Sequence, residues 1–168
     1  MDAVPLLGDI FKLKNVKSII SNYYREQFDS SFGAYQVSAY RNYKNGENPT
    51  AHATWHNDTL PLYAKKLLIY LSDILTEEDG PTQIKLPNGT IKSIYGKAGT
   101  AMFIDINLHH RAHQISDSSL NNSRDMLNFE FCPVDYNDEQ LIQSLGGDVI
   151  YPIDLNSAFD IETTQIKF

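Results

Sequence analysis

Residues 65–105 read KKLLIYLSDILTEEDGPTQIKLPNGTIKSIYGKAGTAMFID, and this stretch decides the fold class. Lys65 to Asp73 is nearly continuously apolar and short, as expected of a strand buried on both faces or nearly so. Glu77 to Pro81 is an acidic turn containing Gly80-Pro81. Asn88-Gly89 then separates Ile84-Lys85-Leu86 from Ile91-Lys92-Ser93-Ile94, the pattern of a hairpin. Ala101 to Asp105 closes the stretch as a buried strand running toward His109 and His110.

The flanking sequence continues the pattern. Residues 33–43, rich in Tyr and Val, suit a strand, and Lys44 to Pro49, around Asn45-Gly46, suits a turn-rich loop. Met126 to Phe131 alternates apolar and polar side chains. Residues 112–124 are polar and Ser/Asn-rich, as in a mobile loop. A helix is expected over 10–25, where Leu13, Val16, Ile20 and Tyr23 recur at helical spacing and Asp9 could cap the start. A short helix is expected over 138–145, and the segment after Gly146-Gly147 is expected to wrap the core. Many short strands with few helices point to an all-β sandwich or barrel. At 168 residues the chain is one domain by length: the 10–25 helix packing on the core, a core over about 33–133, and a C-terminal extension over 134–168.

Composition narrows the function classes. The net charge of −7 and the lack of a basic cluster argue against a nucleic-acid partner. No stretch approaches the length of a membrane span, and the N-terminus lacks a signal-peptide layout. Cys132 is the single cysteine, so no intrachain disulfide can form, which fits a reducing cytoplasm. Its expected role is that of a small buried apolar residue. The sequons at Asn57, Asn88 and Asn121 are read as chance.

The chemistry concentrates at His56-Asn57-Asp58. On an extended strand, side chains at i and i+2 point to the same side. His110, far away in sequence, completes two histidines and a carboxylate, the facial triad of non-haem Fe(II) oxygenases. His109 and His113 compete with His110 for that place, and His52 could be a fourth ligand by spacing. Arg124 offers a planar fork of donors for a carboxylate. Each has an ordinary alternative: a strand end with a local hydrogen bond for His56 and Asp58, a surface ion pair for Arg124. Trp55 and Tyr70 are expected to pack in the core.

Four blocks, WHND, KLLIYLSDILTEEDGPTQIKLPNG, GTAMFIDINLHHRA and SRDMLNFEF, in this order and spacing over roughly residues 50–133, resemble the phytanoyl-CoA dioxygenase-like 2-oxoglutarate/Fe(II) oxygenases. The resemblance implies a double-stranded β-helix, that is, a jelly-roll, cupin-like core. It implies His56, Asp58 and His110 as iron ligands, since Asp105 with His110-Arg111-Ala112 fits the family's register. It implies Arg124 as the arginine that binds the distal carboxylate of 2-oxoglutarate, and Lys66 as a further contact to a co-substrate carboxylate. The implied cofactor is Fe(II), with 2-oxoglutarate and O2 as co-substrates and succinate and CO2 as co-products. A carboxylate at Asp58 implies hydroxylation of a small-molecule substrate, because related halogenases have a smaller residue there. Two other classes compete: a cupin-like isomerase or hydrolase that uses another metal and no 2-oxoglutarate, and a non-catalytic jelly-roll binding module. Neither the substrate nor the oligomeric state is legible in the sequence.

Overall fold

A computed structural model describes residues 14–30, 32–44, 51–58, 62–133 and 153–154. The chain forms two compact units, one made of 1–36 with 131–168 and the other of 37–130. The elements are a helix α1 (Lys14–Phe28) and strands β1 (Phe32–Tyr43), β2 (Lys65–Tyr70), β3 (Thr82–Lys85), β4 (Ile91–Ile94), β5 (Ala101–Asp105), β6 (His110–Ala112), β7 (Ser123–Pro133) and β8 (Ile153–Asp154). Single 3-10 turns lie at Ala51–Ala53 and Glu77–Asp79.

In the first unit α1 buries Ile20 and Tyr24, one turn apart, while Ile19 is exposed. The buried stripe thus falls on Tyr24 rather than Tyr23. Tyr24 stacks on Phe32 and donates its hydroxyl to the Phe131 carbonyl at 2.8 Å. Phe32 meets Phe131 edge to face at 5.7 Å. The helix runs three residues past the expected Arg25, to Phe28. It stops at Asp29, whose φ of 50° is left-handed and whose N–H closes onto Arg25 O at 3.1 Å. The expected helix start over 10–13 and the expectations for Asp9, 138–145 and the segment after Gly147 lie outside the described residues, apart from β8, which pairs with Gly33 and Ala34 of β1.

The second unit holds two sheets, and its core is the jelly roll expected from the sequence. In one sheet β2 lies between β5 and β7, with the second half of β1 beyond β7; in the other β3 lies between β4 and β6. The β2–β5, β3–β4 and β3–β6 pairings are antiparallel. β2 is buried along almost its whole length, as its apolar run requires. The β3–β4 hairpin turns at Gly89, whose φ of 84° is the left-handed conformation that Asn-Gly turns use. β5 departs from expectation. It buries only Met102 and Ile104 and exposes Ala101, because it is the edge neighbour of β2 and has one covered face. The histidine motif differs from an extended strand: His56 makes only an isolated bridge, and Ala51–Ala53 before it is a 3-10 turn.

The Ser/Asn-rich segment after β6 is tied down by hydrogen bonds. Buried Asp79 accepts from Ser119 Oγ at 2.6 Å and Asn121 Nδ2 at 3.1 Å, as well as from the backbone N–H groups of Leu75 and Thr76. Lys44 Nζ donates to Ser119 O at 2.8 Å. Among the described residues no helix is long and apolar enough to cross a membrane.

Candidate metal centre and its pocket

His56 and His110 face each other across a two-residue bridge. His56 N donates to His110 O at 3.1 Å and His110 N donates to His56 O at 2.8 Å. Asp58 N continues the contact onto Ile106 O at 3.2 Å. These backbone bonds bring His110 to His56 and Asp58, which lie more than fifty positions earlier in the sequence. Asp58 Oδ1 lies 3.6 Å from His56 Nε2 and 3.8 Å from His110 Nε2, and one ligand atom from each residue lies within 4.8 Å of the other two.

The ring nitrogens suit a metal. His56 Nδ1 is 2.8 Å from Thr54 O, and His110 Nδ1 is 2.9 Å from Leu108 O. A carbonyl oxygen only accepts, so each Nδ1 carries a proton, and Nε2, on the Asp58 side, is the atom of each ring that can ligate. Burial lowers the pKa of His110, though its bond to Leu108 O and the Asp58 charge act against this, so its neutral, ligating form is favoured. Two imidazole Nε2 atoms and a carboxylate form the donor set of an Fe(II) facial triad, and these three residues would hold the ion.

Of the competing histidines, His109 is exposed, with its backbone carbonyl accepting from Lys85 N. His113 turns its Nε2 toward Glu77 Oε1 at 3.6 Å. The His52 ring lies between Tyr40, at 5.5 Å, and His56, at 5.7 Å, and burial lowers its pKa. Trp55 stacks under the Arg111 guanidinium at 4.6 Å instead of packing in the core. Tyr70 is a core residue, fully buried, and its hydroxyl donates to Ile94 O and accepts from Thr82 N. Cys132 is buried and its thiol is pushed up to about 11, so it is inert.

The triad opens into a pocket whose other walls come from β1, β2, β3 and β7. Arg124 is 1% exposed, yet no carboxylate among the described residues pairs with it. Its guanidinium donates to Gly80 O at 2.6 Å and Asn42 Oδ1 at 2.9 Å, while its Nε is buried with no partner among the described residues. Burial therefore lowers its pKa. Thr82 Oγ1 and Asn128 Oδ1, on the same pocket wall, are also buried without a partner. Lys66 reaches the pocket from β2, with its ammonium 2.5 Å from Asp58 Oδ2 and 3.1 Å from Glu130 Oε1. Burial acts against the Lys66 charge, but Glu130 and Asp58 outweigh it and raise its pKa.

Sequence reasoning missed Asn42, Thr82, Asn128 and Glu130. One signal was present. Arg124, Met126, Asn128 and Glu130 share one face of β7 by two-residue spacing, and three polar side chains on a buried face call for a pocket.

No protein-family profile matches the chain, and no curated protein matches it. Solved structures do match. HygX of Streptomyces hygroscopicus, with nickel and 2-oxoglutarate bound, matches at 16% identity and a TM-score of 0.52 over 79% of this chain and 69% of that one. AviO1 of Streptomyces viridochromogenes matches at 15% identity and a TM-score of 0.55 over 70% and 58%. SnoN, a non-haem α-ketoglutarate-dependent epimerase of nogalamycin biosynthesis, matches at 15% identity and a TM-score of 0.53 over 68% and 52%. The chain thus spans between about half and about two thirds of these proteins' own lengths, and it shares their fold.

Proposed function

We propose that this chain is an Fe(II)- and 2-oxoglutarate-dependent dioxygenase of the phytanoyl-CoA dioxygenase-like type that hydroxylates a small molecule. The observation that carries the reading is Arg124. A buried guanidinium without a counter-ion is unfavourable in an empty pocket and favourable once an anion enters. Its free Nε–H and the unpartnered Thr82 hydroxyl are both donors, and they lie in the same pocket as the triad. A carboxylate accepts from both. A dicarboxylate that ligates the metal at one end would meet the Arg124 and Thr82 donors at the other. The 2-oxoglutarate bound in HygX is a molecule of this kind.

Bound iron would supply the activation of O2 and the oxidative decarboxylation of the co-substrate to succinate and CO2. The protein's own contribution is orientation and exclusion of water. His56, Asp58 and His110 would hold the ion. Arg124, already fixed by Gly80 and Asn42, sets the far end of the co-substrate. Leu68 and Met126 line the pocket with apolar surface.

Anaerobic titration of 2-oxoglutarate into the Fe(II)-loaded protein tests the reading, with the metal-chelate absorbance showing binding and succinate release in air showing turnover. Absence of both removes it and favours a metal enzyme that does not use 2-oxoglutarate. A screen of small molecules for faster succinate release, with product analysis, then separates hydroxylation from other outcomes such as epimerisation.

A further inference from the structure

We propose that Lys66, held by Glu130, is a positioning residue that fixes how Asp58 meets the metal, presenting one carboxylate oxygen and withholding the other. The proposal rests on the assignment of His56, Asp58 and His110 as metal ligands. The two oxygens of Asp58 have different surroundings. Oδ1 faces the two imidazole Nε2 atoms at 3.6 and 3.8 Å, whereas Oδ2 is held by the Lys66 ammonium at 2.5 Å. A carboxylate held in this way would ligate through one oxygen.

Lys66 is itself held in place. Its Nζ reaches Glu130 Oε1 at 3.1 Å, and that oxygen also accepts from Asn128 Nδ2 at 3.0 Å. Asn128 Nδ2 in turn contacts Ser38 Oγ at 3.2 Å. A polar chain therefore crosses from β1 through β7 to β2 and ends on the metal-ligand carboxylate. Its members are buried or nearly so, which removes the freedom a lysine has at a surface. The Asp58 and Glu130 carboxylates thus both face the one Lys66 ammonium. The neighbouring lysine shows that the arrangement is specific to one position. Lys65 points to the other face of β2, where its ammonium contacts the Leu62 and Ala64 carbonyls and lies 3.4 Å from Asp105.

The test is Co(II) affinity, measured by competition with a chromophoric chelator in the absence of 2-oxoglutarate, together with the visible spectrum of the Co(II) protein. The proteins are wild type, Lys66→Met, Lys66→Arg and the double variant Lys66→Met with Glu130→Gln. The double variant removes both partners of the buried pair, so it stays folded where Lys66→Met alone leaves Glu130 without its cation. Both Met-containing variants should bind Co(II) roughly 10- to 100-fold more weakly, the usual effect of losing a group that orients a ligand. Their Co(II) spectra should change as the second Asp58 oxygen becomes available, and Lys66→Arg should keep a wild-type-like spectrum. Wild-type affinity and spectrum in the double variant would overturn the proposal. So would a Lys66→Met protein that binds Co(II) normally and loses only 2-oxoglutarate, because Lys66 would then contact the co-substrate. A wild type that takes up no Co(II) removes the metal assignment, and the proposal with it.

Discussion

Arg124→Met tests the anchor of the proposed co-substrate through stability as well as activity. In the protein without 2-oxoglutarate, two effects of the substitution oppose each other. Removing a buried, unpaired guanidinium relieves a desolvation cost, and replacing a buried ion by an apolar side chain is commonly neutral or stabilising by about 1–4 kcal/mol. Against this, Gly80 O loses a partner at 2.6 Å and Asn42 Oδ1 one at 2.9 Å, and a buried unsatisfied acceptor costs about 1–3 kcal/mol. The melting temperature without ligand should therefore change little. With ligand the effects no longer cancel. At a 2-oxoglutarate concentration of about 100 times Kd, binding stabilises the Co(II)-loaded wild type by about 2.7 kcal/mol. At about 2–4 °C per kcal/mol for a chain of this size, the melting point rises by roughly 5–11 °C. Losing a charge-assisted contact of about 1.5–3 kcal/mol weakens binding roughly 10- to 100-fold. At the same ligand concentration the stabilisation falls to about 0.4–1.4 kcal/mol, half the wild-type shift or less. Thermal denaturation with and without 2-oxoglutarate measures both quantities, with Co(II) affinity as the control. A full wild-type shift in Arg124→Met would refute the assignment of this residue to the co-substrate.

Four further substitutions probe the frame around the site. Gly80→Ala should lower stability by about 1–3 kcal/mol and weaken 2-oxoglutarate binding, because φ is +75° and an added Cβ would lie 2.7 Å from His113 O, displacing the carbonyl that holds Arg124; denaturant unfolding and co-substrate titration check both effects. His110→Ala should abolish tight Co(II) binding while His109→Ala, at an exposed position, leaves it nearly intact; the reverse result would shift the ligand register by one residue. Burial acts against the Asp79 charge, but the Ser119 hydroxyl and the Leu75 and Thr76 donors outweigh it and hold the carboxyl below its ordinary range. A depressed folded-state pKa gives stability that is present above the unfolded value near 3.8 and is lost as pH falls through the lower folded value. Asp79→Asn should therefore be less stable than wild type at pH 7 and lose less of its remaining stability below about pH 4, as urea unfolding across that range would show.

The features legible in the sequence were those set by local chemistry. The Asn88-Gly89 hairpin, the buried β2 run and the helix stripe through Val16 and Ile20 each depend on residues a few positions apart, and the structure has all three. The His-x-Asp spacing suggested an extended strand at the metal motif itself. Instead the two histidines are aligned by backbone bonds to each other, and Ala51–Ala53 before the motif turns. No spacing rule shows that pairing, since His110 is brought opposite His56 by the return of β6 alongside β3. The co-substrate end was harder still. Arg124 is distinguished from a surface arginine by Gly80 from the acidic turn, Asn42 from β1 and the orphaned Thr82 hydroxyl from β3. These three elements lie forty or more residues from it in sequence.

The same geometry explains why the pocket keeps polar groups that the protein itself does not satisfy. A fold selected for stability alone would fill this space with apolar side chains. Here Arg124 Nε, Thr82 Oγ1 and Asn128 Oδ1 line one pocket without partners among the described residues. Each such group costs free energy until a ligand meets it. The orientation of Asn128 is fixed, because its amide nitrogen faces the Glu130 carboxylate and its oxygen must then face away. Two of the three groups can donate to a carboxylate, but Asn128 Oδ1 can only accept, and 2-oxoglutarate offers no donor at neutral pH. A dicarboxylate therefore leaves one requirement of the pocket unmet, and a water or a hydroxyl- or amine-bearing second ligand has to supply the missing proton.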